Sequence, residues 1–160
     1  MCEAWEAEAR AAESYGIRVV LARLGLVLAS RGGALDRMLP PFRLGVGGKL
    51  GDGRQWLPWV HLDDAAGLLL HAARDERLRG PLNVVAPEAV TNAEFTRALG
   101  QALGRPTLLA VPRLALRVVF GEISQALLDS RRVIPGVALE TRYEFRHPRL
   151  APALVACVRG

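Results

Sequence analysis

From Gly45 to Asp64 the sequence passes through a glycine-rich turn, an aromatic strand and an acidic helix start without interruption. Gly45, Gly47, Gly48, Gly51 and Gly53 supply backbone freedom that residues with a Cβ lack. Gln55 to His61, carrying Trp56 and Trp59, reads as the strand. Asp63 and Asp64 mark the helix that follows: one is expected as its N-cap and the other in its first turn, where a carboxylate meets the positive end of the helix. The helix runs to about Arg74. Turn, strand and helix in one piece point to an α/β chain, with the glycines forming a hairpin-like insertion.

The flanking sequence agrees. Residues 3–15 are rich in alanine and glutamate, with Trp5, Ala9 and Ala12 on one helical face, and Gly16 stops the run. Ile17 to Ala22 is a β-branched, mostly apolar strand. Near-continuous apolar strands after helices predict a parallel sheet covered on both faces. Ala34 to Phe42 reads as a short helix interrupted by Pro40-Pro41. Leu82 to Ala86 is a further buried strand. Thr91-Asn92-Ala93-Glu94 has the spacing of a capping box, opening a helix to about Gly104. Residues 112–130 carry an apolar stripe (Leu114, Val118, Ile123, Leu127, Leu128) at helical spacing. Tyr143 to Arg146 reads as a short strand, and His147-Pro148 as the start of a last helix. The predicted units are 1–86, an α/β parallel-sheet portion with the glycine-rich insertion, and 87–160, a small α/β domain.

With 160 residues, 51% of them hydrophobic and 23% charged, the chain has an ordinary globular composition and the length to bury a core. No apolar run approaches the roughly 18 residues of a membrane span, and the acidic start does not read as a secretory signal. The net charge of +5 invites a nucleic-acid reading. Lys49 is the only lysine, however, and the arginines are scattered rather than striped with aromatics. No nucleic-acid or membrane partner is expected. Cys2 and Cys157 are too far apart in sequence for a disulfide framework, and His61, His71 and His147 do not converge at ligand spacing. No metal site and a reducing, cytoplasmic setting are therefore expected.

The glycines do not make a phosphate loop, because Gly48-Lys49 is followed by Leu50 and not by Ser or Thr. They do not make a dinucleotide fingerprint either: Trp56 occupies the third glycine position and a strand follows. A tight turn and a substrate-facing loop both remain open readings. No nucleophile elbow, His-Glu-x-x-His or Tyr-x-x-x-Lys occurs, so no catalytic residue is assigned. In open parallel sheets ligands bind beyond the carboxyl ends of strands. Arg23 to Leu28 lies there: Gly25 permits close approach, and Leu26 and Val27 offer apolar surface to a ring. The alternative is a buried strand continuation. His61 is either a half-buried strand histidine or a substrate contact. Gln55 can reach a ligand or face water.

Trp5-Glu6, Arg18-Val19-Val20-x-x-Arg23-x-Gly25-x-Val27-Leu28, Gly32-Gly33-x-Leu35-x-x-Met38-Leu39-x-x-Phe42-Arg43-Leu44-Gly45, Gly53-x-Gln55-x-x-x-Trp59-Val60-His61-x-Asp63-Asp64, Leu82-Asn83-x-x-Ala86-Pro87, Thr91 to Phe95, Phe120-Gly121-Glu122 and Pro148-x-Leu150-x-x-Ala153-Leu154 together resemble the epimerase-like extended short-chain dehydrogenases/reductases of the YfcH type. The resemblance covers essentially the whole chain, as the C-terminal half of such a protein, and implies that 1–86 is the C-terminal portion of a Rossmann-like doubly wound parallel sheet and 87–160 a small domain on the substrate side. It implies NADP(H) as cofactor, weakly bound or unbound by this chain alone, with Val27 and less firmly Leu26 and Gly25 on the nicotinamide side. Arg23, Gln55 and His61 become the candidate substrate contacts. It further implies that the glycine fingerprint, the ribose-reading residue and the usual catalytic region precede Met1. The expected function is then part of an NADP(H)-dependent oxidoreductase or epimerase acting on a small substrate such as a nucleotide sugar. Its partner would be either the missing half or another copy. The rival expectations are a non-catalytic binding or cell-division regulatory module and an inactive truncated product.

Overall fold

A computed structural model of the protein describes residues 2–111 and 130–159. The apolar stripe expected over 112–130 therefore lies outside the described residues, apart from Ser130. In chain order the elements are α1 (Cys2–Ala11), β1 (Val20–Leu24), β2 (Leu26–Leu28), α2 (Gly33–Arg43), β3 (Gly48–Leu50), β4 (Trp56–Leu57), β5 (Trp59–His61), α3 (Leu62–Arg74), β6 (Gly80–Val84), β7 (Val90–Thr91), α4 (Asn92–Leu103), β8 (Leu109–Val111), α5 (Gly136–Glu140) and α6 (Leu150–Arg159).

Three strand pairs are parallel: β1 with β6, β2 with β5, and β3 with β8. The fourth, β4 with β7, is antiparallel. Gly25 explains how β1 and β2 follow one another yet serve different partners. Its N–H donates to the carbonyl of Val84 at 3.1 Å, and the next N–H, from Leu26, goes to Pro58 at 2.8 Å. A Cβ on Gly25 would lie 2.8 Å from the Pro58 oxygen and 2.9 Å from Val85 Cγ1. Only glycine fits where the chain changes neighbours.

Side chains alternate across a strand, and β5 shows what this does here. Trp59 enters a core built with Leu28, Leu35, Leu39, Phe42, Phe95, Leu99 and Leu154, whereas Val60 enters one built with Leu68, Leu82, Val84 and Ala138. Helices α2, α4 and α6 cover the first face; α3 and α5 cover the second. Strand β5 is thus covered on both faces, whereas Ala22, Arg23 and Leu24 of β1 are exposed, which corrects the expectation for that strand. Both cores draw residues from either side of position 86.

Several local expectations hold. Gly16 ends the first helical segment in the left-handed region at φ 75°. Thr91 and Glu94 form the capping box, and Gly104 closes α4 at φ 63°. Other expectations are corrected. Helix α2 runs through Pro40 and Pro41 to Arg43. The prolines give up two backbone donors but still accept, from Leu44 at 3.1 Å and Val46 at 3.0 Å. Buried Leu35, Leu39 and Phe42 hold the helix together by packing. The glycine-rich stretch is not a hairpin, because β3 pairs with β8 and not with the strand that follows it. The strand expected over 55–61 is split by Pro58 into β4 and β5, with different partners. The last helix begins at Leu150, so the proline in its first turn is Pro152 and not Pro148. The face of α1 that carries Trp5 is exposed.

Candidate functional site

The polar centre of the structure lies where β5 runs into α3. His61 is the last residue of β5 and the N-cap of α3, its Nδ1 accepting the Asp63 N–H at 3.2 Å. This corrects the expectation that an aspartate caps the helix: both Asp63 and Asp64 lie in the first turn. They face opposite ways. Asp64 is fully buried, and Asp63 is about half exposed.

Asp64 explains why residues 143–146 are not a strand. These residues alternate between half-buried and exposed, as a strand would, with Tyr143 and Phe145 packed against the second core. Their amides, however, pair with a side chain. Asp64 accepts the N–H of Arg146 and of His147, both at 2.8 Å, and lies 3.4 Å from the Tyr143 hydroxyl that donates to it. A buried carboxylate requires such donors. Burial first, then the Asp64 charge, raise the Tyr143 phenol above its ordinary value and keep it a donor.

The same latch brings His147 over His61. The imidazoles stack with centroids 3.7 Å apart and planes 30° apart. Asp63 Oδ2 lies 3.6 Å from His61 Nδ1 and 3.4 Å from His147 Nε2. The expectation that the three histidines do not converge is therefore corrected for two of them. His71 stands elsewhere, 3.0 Å from Thr141 Oγ1. Burial lowers the His61 pKa, and the neighbouring His147 lowers it further; Asp63 and Asp64 offset part of this. Sequence spacing missed His147 and Asp64 because 86 and 82 positions respectively separate the partners. The alternation at 143–147 was the available signal.

The other residues singled out by sequence fall into two groups. Leu26, Val27 and Leu28 lie on the ladder beside Trp59, Val60 and His61, so they share a strand pair with His61. Leu26 packs toward the first core and Val27 toward the second, both half-buried. Arg23 and Gln55 are engaged elsewhere. Arg23 makes a two-pronged pair with Glu6 on α1, at 2.8 and 2.7 Å. Its guanidinium holds the Glu6 carboxyl below the usual range. Gln55 is buried, at 6% exposure, and does not face water. Its Nε2 donates to the Leu50 carbonyl at 3.0 Å, bracing the turn in which Gly51 and Gly53 take positive φ.

Residues 111–157 match a family model described as a domain of unknown function, DUF1731. The epimerase family protein SDR39U1 of Mus musculus is 48% identical over 151 residues, which is 94% of this chain and 51% of that protein. An epimerase family protein of Mycobacterium bovis is 44% identical over 155 residues, 96% of this chain and 52% of that protein. The crystal structure of human epimerase family protein SDR39U1 (isoform 2) with NADPH matches with a TM-score of 0.86 at 43% identity, covering 89% of this chain and 49% of that one. The chain is similar to one half of these epimerase family proteins. It spans about half the length of the curated relatives it matches, corresponding to their C-terminal half. The parallel strand pairs covered by helices are accordingly part of a Rossmann-like epimerase fold. Among the described residues, no helix is long and apolar enough to cross a membrane.

Proposed function

We propose that this chain is the substrate-side half of an NADP(H)-dependent epimerase or oxidoreductase, and that the end of β2 lines the nicotinamide. The likeness to the NADPH-bound human relative over 89% of the chain carries the reading. The residues fit the ring. Leu26 and Val27 present half-buried apolar side chains on a parallel pair, near the carboxyl end where open α/β sheets take ligands. Gly25 acts through the backbone, since Pro58 and Val85 fill the place of a side chain. The residues do not fit the phosphates, for the 160 residues contain no three-glycine fingerprint. When bound, the cofactor supplies hydride transfer; these residues orient the ring and exclude water. Arg23 reaches substrate by leaving Glu6, and His61 offers an imidazole whose pKa burial lowers. The substrate class is a small molecule such as a nucleotide sugar. Residues 1–86 belong to the cofactor layer and 87–160 to the substrate-side unit. The N-terminal half seen in the relatives, or another copy, completes the site, in the cytoplasm.

Fluorescence titration with NADPH tests this. The purified chain is expected to bind more weakly than about 1 μM, and to gain affinity when a polypeptide carrying a glycine fingerprint is added. Sub-micromolar binding by the chain alone would refute the half-site reading. The lack of a Tyr-x-x-x-Lys pair in these residues fits a second reading equally well, a non-catalytic binding module. A partner retained equally with and without NADPH would support it.

A further inference from the structure

His61, Asp63 and His147 form the one group among the described residues with the chemistry of a metal site, and the mechanism above does not need it as such. We propose that these three side chains bind a divalent transition ion of the zinc class, clamping the N-terminus of α3 to the segment that leads into α6. The ligand atoms all lie within 4.8 Å of one another. Tetrahedral zinc, with bonds of about 2.0–2.1 Å, places its ligands about 3.3 Å apart. The separations of 3.4 and 3.6 Å from Asp63 Oδ2 are already near that value. Two imidazoles and a carboxylate are donors that zinc accepts, and they leave a fourth position for water.

The surroundings suit the role. Metal binds neutral imidazole, so occupancy should fall in acid. Asp64 takes the N–H of His147 itself, which fixes that ligand's backbone from the buried side. Asp63 is about half exposed, so an ion has an entry path. One rearrangement is required. The stacked rings, 3.7 Å apart at their centroids, must open to about 5 Å for both nitrogens to point at one ion. In doing so His61 Nδ1 gives up the long 3.2 Å cap bond from Asp63.

Titration of the metal-free full chain with Co²⁺ at neutral pH tests the proposal. The expected result is one equivalent of Co²⁺ giving the intense visible bands of a tetrahedral ion, displaced by Zn²⁺, with a rise in melting temperature. His147→Gln and Asp63→Asn should each abolish the bands, while His71→Ala should leave them unchanged. Far-UV circular dichroism confirms that each variant is folded. Absence of tetrahedral bands in the wild-type chain would overturn the proposal. So would bands that survive in both folded ligand variants, or a thiolate-to-cobalt charge-transfer band showing capture by cysteine.

Discussion

Asp64 and Glu6 each tie a helix to a distant part of the chain, and they do so in opposite surroundings. Asp64 is wholly buried and receives backbone N–H groups across more than 80 residues. Glu6 meets the guanidinium of Arg23 across 17 residues, in contact with water. By distance the Glu6 pair is the shorter, at 2.7 and 2.8 Å against 2.8 Å. Distance does not decide the worth of a contact; what the partners lose without it does. Without Asp64, two amides in a half-buried segment lose their acceptor and cannot all reach water. Without Glu6, Arg23 is simply hydrated.

The largest effect that would break this comparison belongs to Asp64. Asp64→Ala should cost about 3–5 kcal/mol, two charge-assisted hydrogen bonds plus the penalty for stranded donors, and should open residues 143–149 to proteolysis. A urea midpoint within error of wild type would show that the segment is held by Tyr143 and Phe145 alone. Gly25→Ala comes next, at about 1–3 kcal/mol, because its Cβ meets Pro58 and Val85 with no room to yield. A neutral result in the same assay would mean that β2 and β5 can part without loss.

Thr91→Ala should cost about 1 kcal/mol, and it sharpens the comparison through pH. The Thr91 backbone and then its hydroxyl hold the Glu94 carboxyl below its ordinary value of 4.5. The stabilisation is therefore present above that value and lost as pH falls through the lower folded value. The gap between wild type and Thr91→Ala should narrow in acid, as the hydroxyl's bond to the Glu94 carboxylate is lost while its cap bond from the Glu94 N–H remains; a constant gap would assign the whole loss to that cap bond. Arg23→Ala should have the smallest effect, no measurable change in the urea midpoint in about 1 M salt, where screening is nearly complete. A loss there as large as that of Thr91→Ala would mean that the α1 contact is not a surface pair.

The comparison also separates what sequence could show from what it could not. Gly16, Gly104 and the Thr91–Glu94 box were legible because each is set by residues within a turn of one another. The apolar run from Ile17 to Ala22 likewise predicted a parallel strand, and β1 is one, although Ala22, Arg23 and Leu24 lie exposed. The split at Pro58, the parallel pairing of β3 with β8 and the survival of α2 beyond Pro40 were not legible. Each depends on which distant surface offered a partner or a core.

The candidate site divides in the same way. Sequence marked His61 as a residue to watch, because it precedes a helix start that carries two carboxylates. Only tertiary structure decided that Asp64 would turn inward to bind the backbone of Arg146 and His147, and that this would lay one imidazole on the other. Local sequence determines the torsions a residue prefers and the periodicity of what it can bury. Which buried polar group is satisfied by which donor is settled only when the whole chain has closed around it, because an unpaired charge in the core costs more than any local preference can offset.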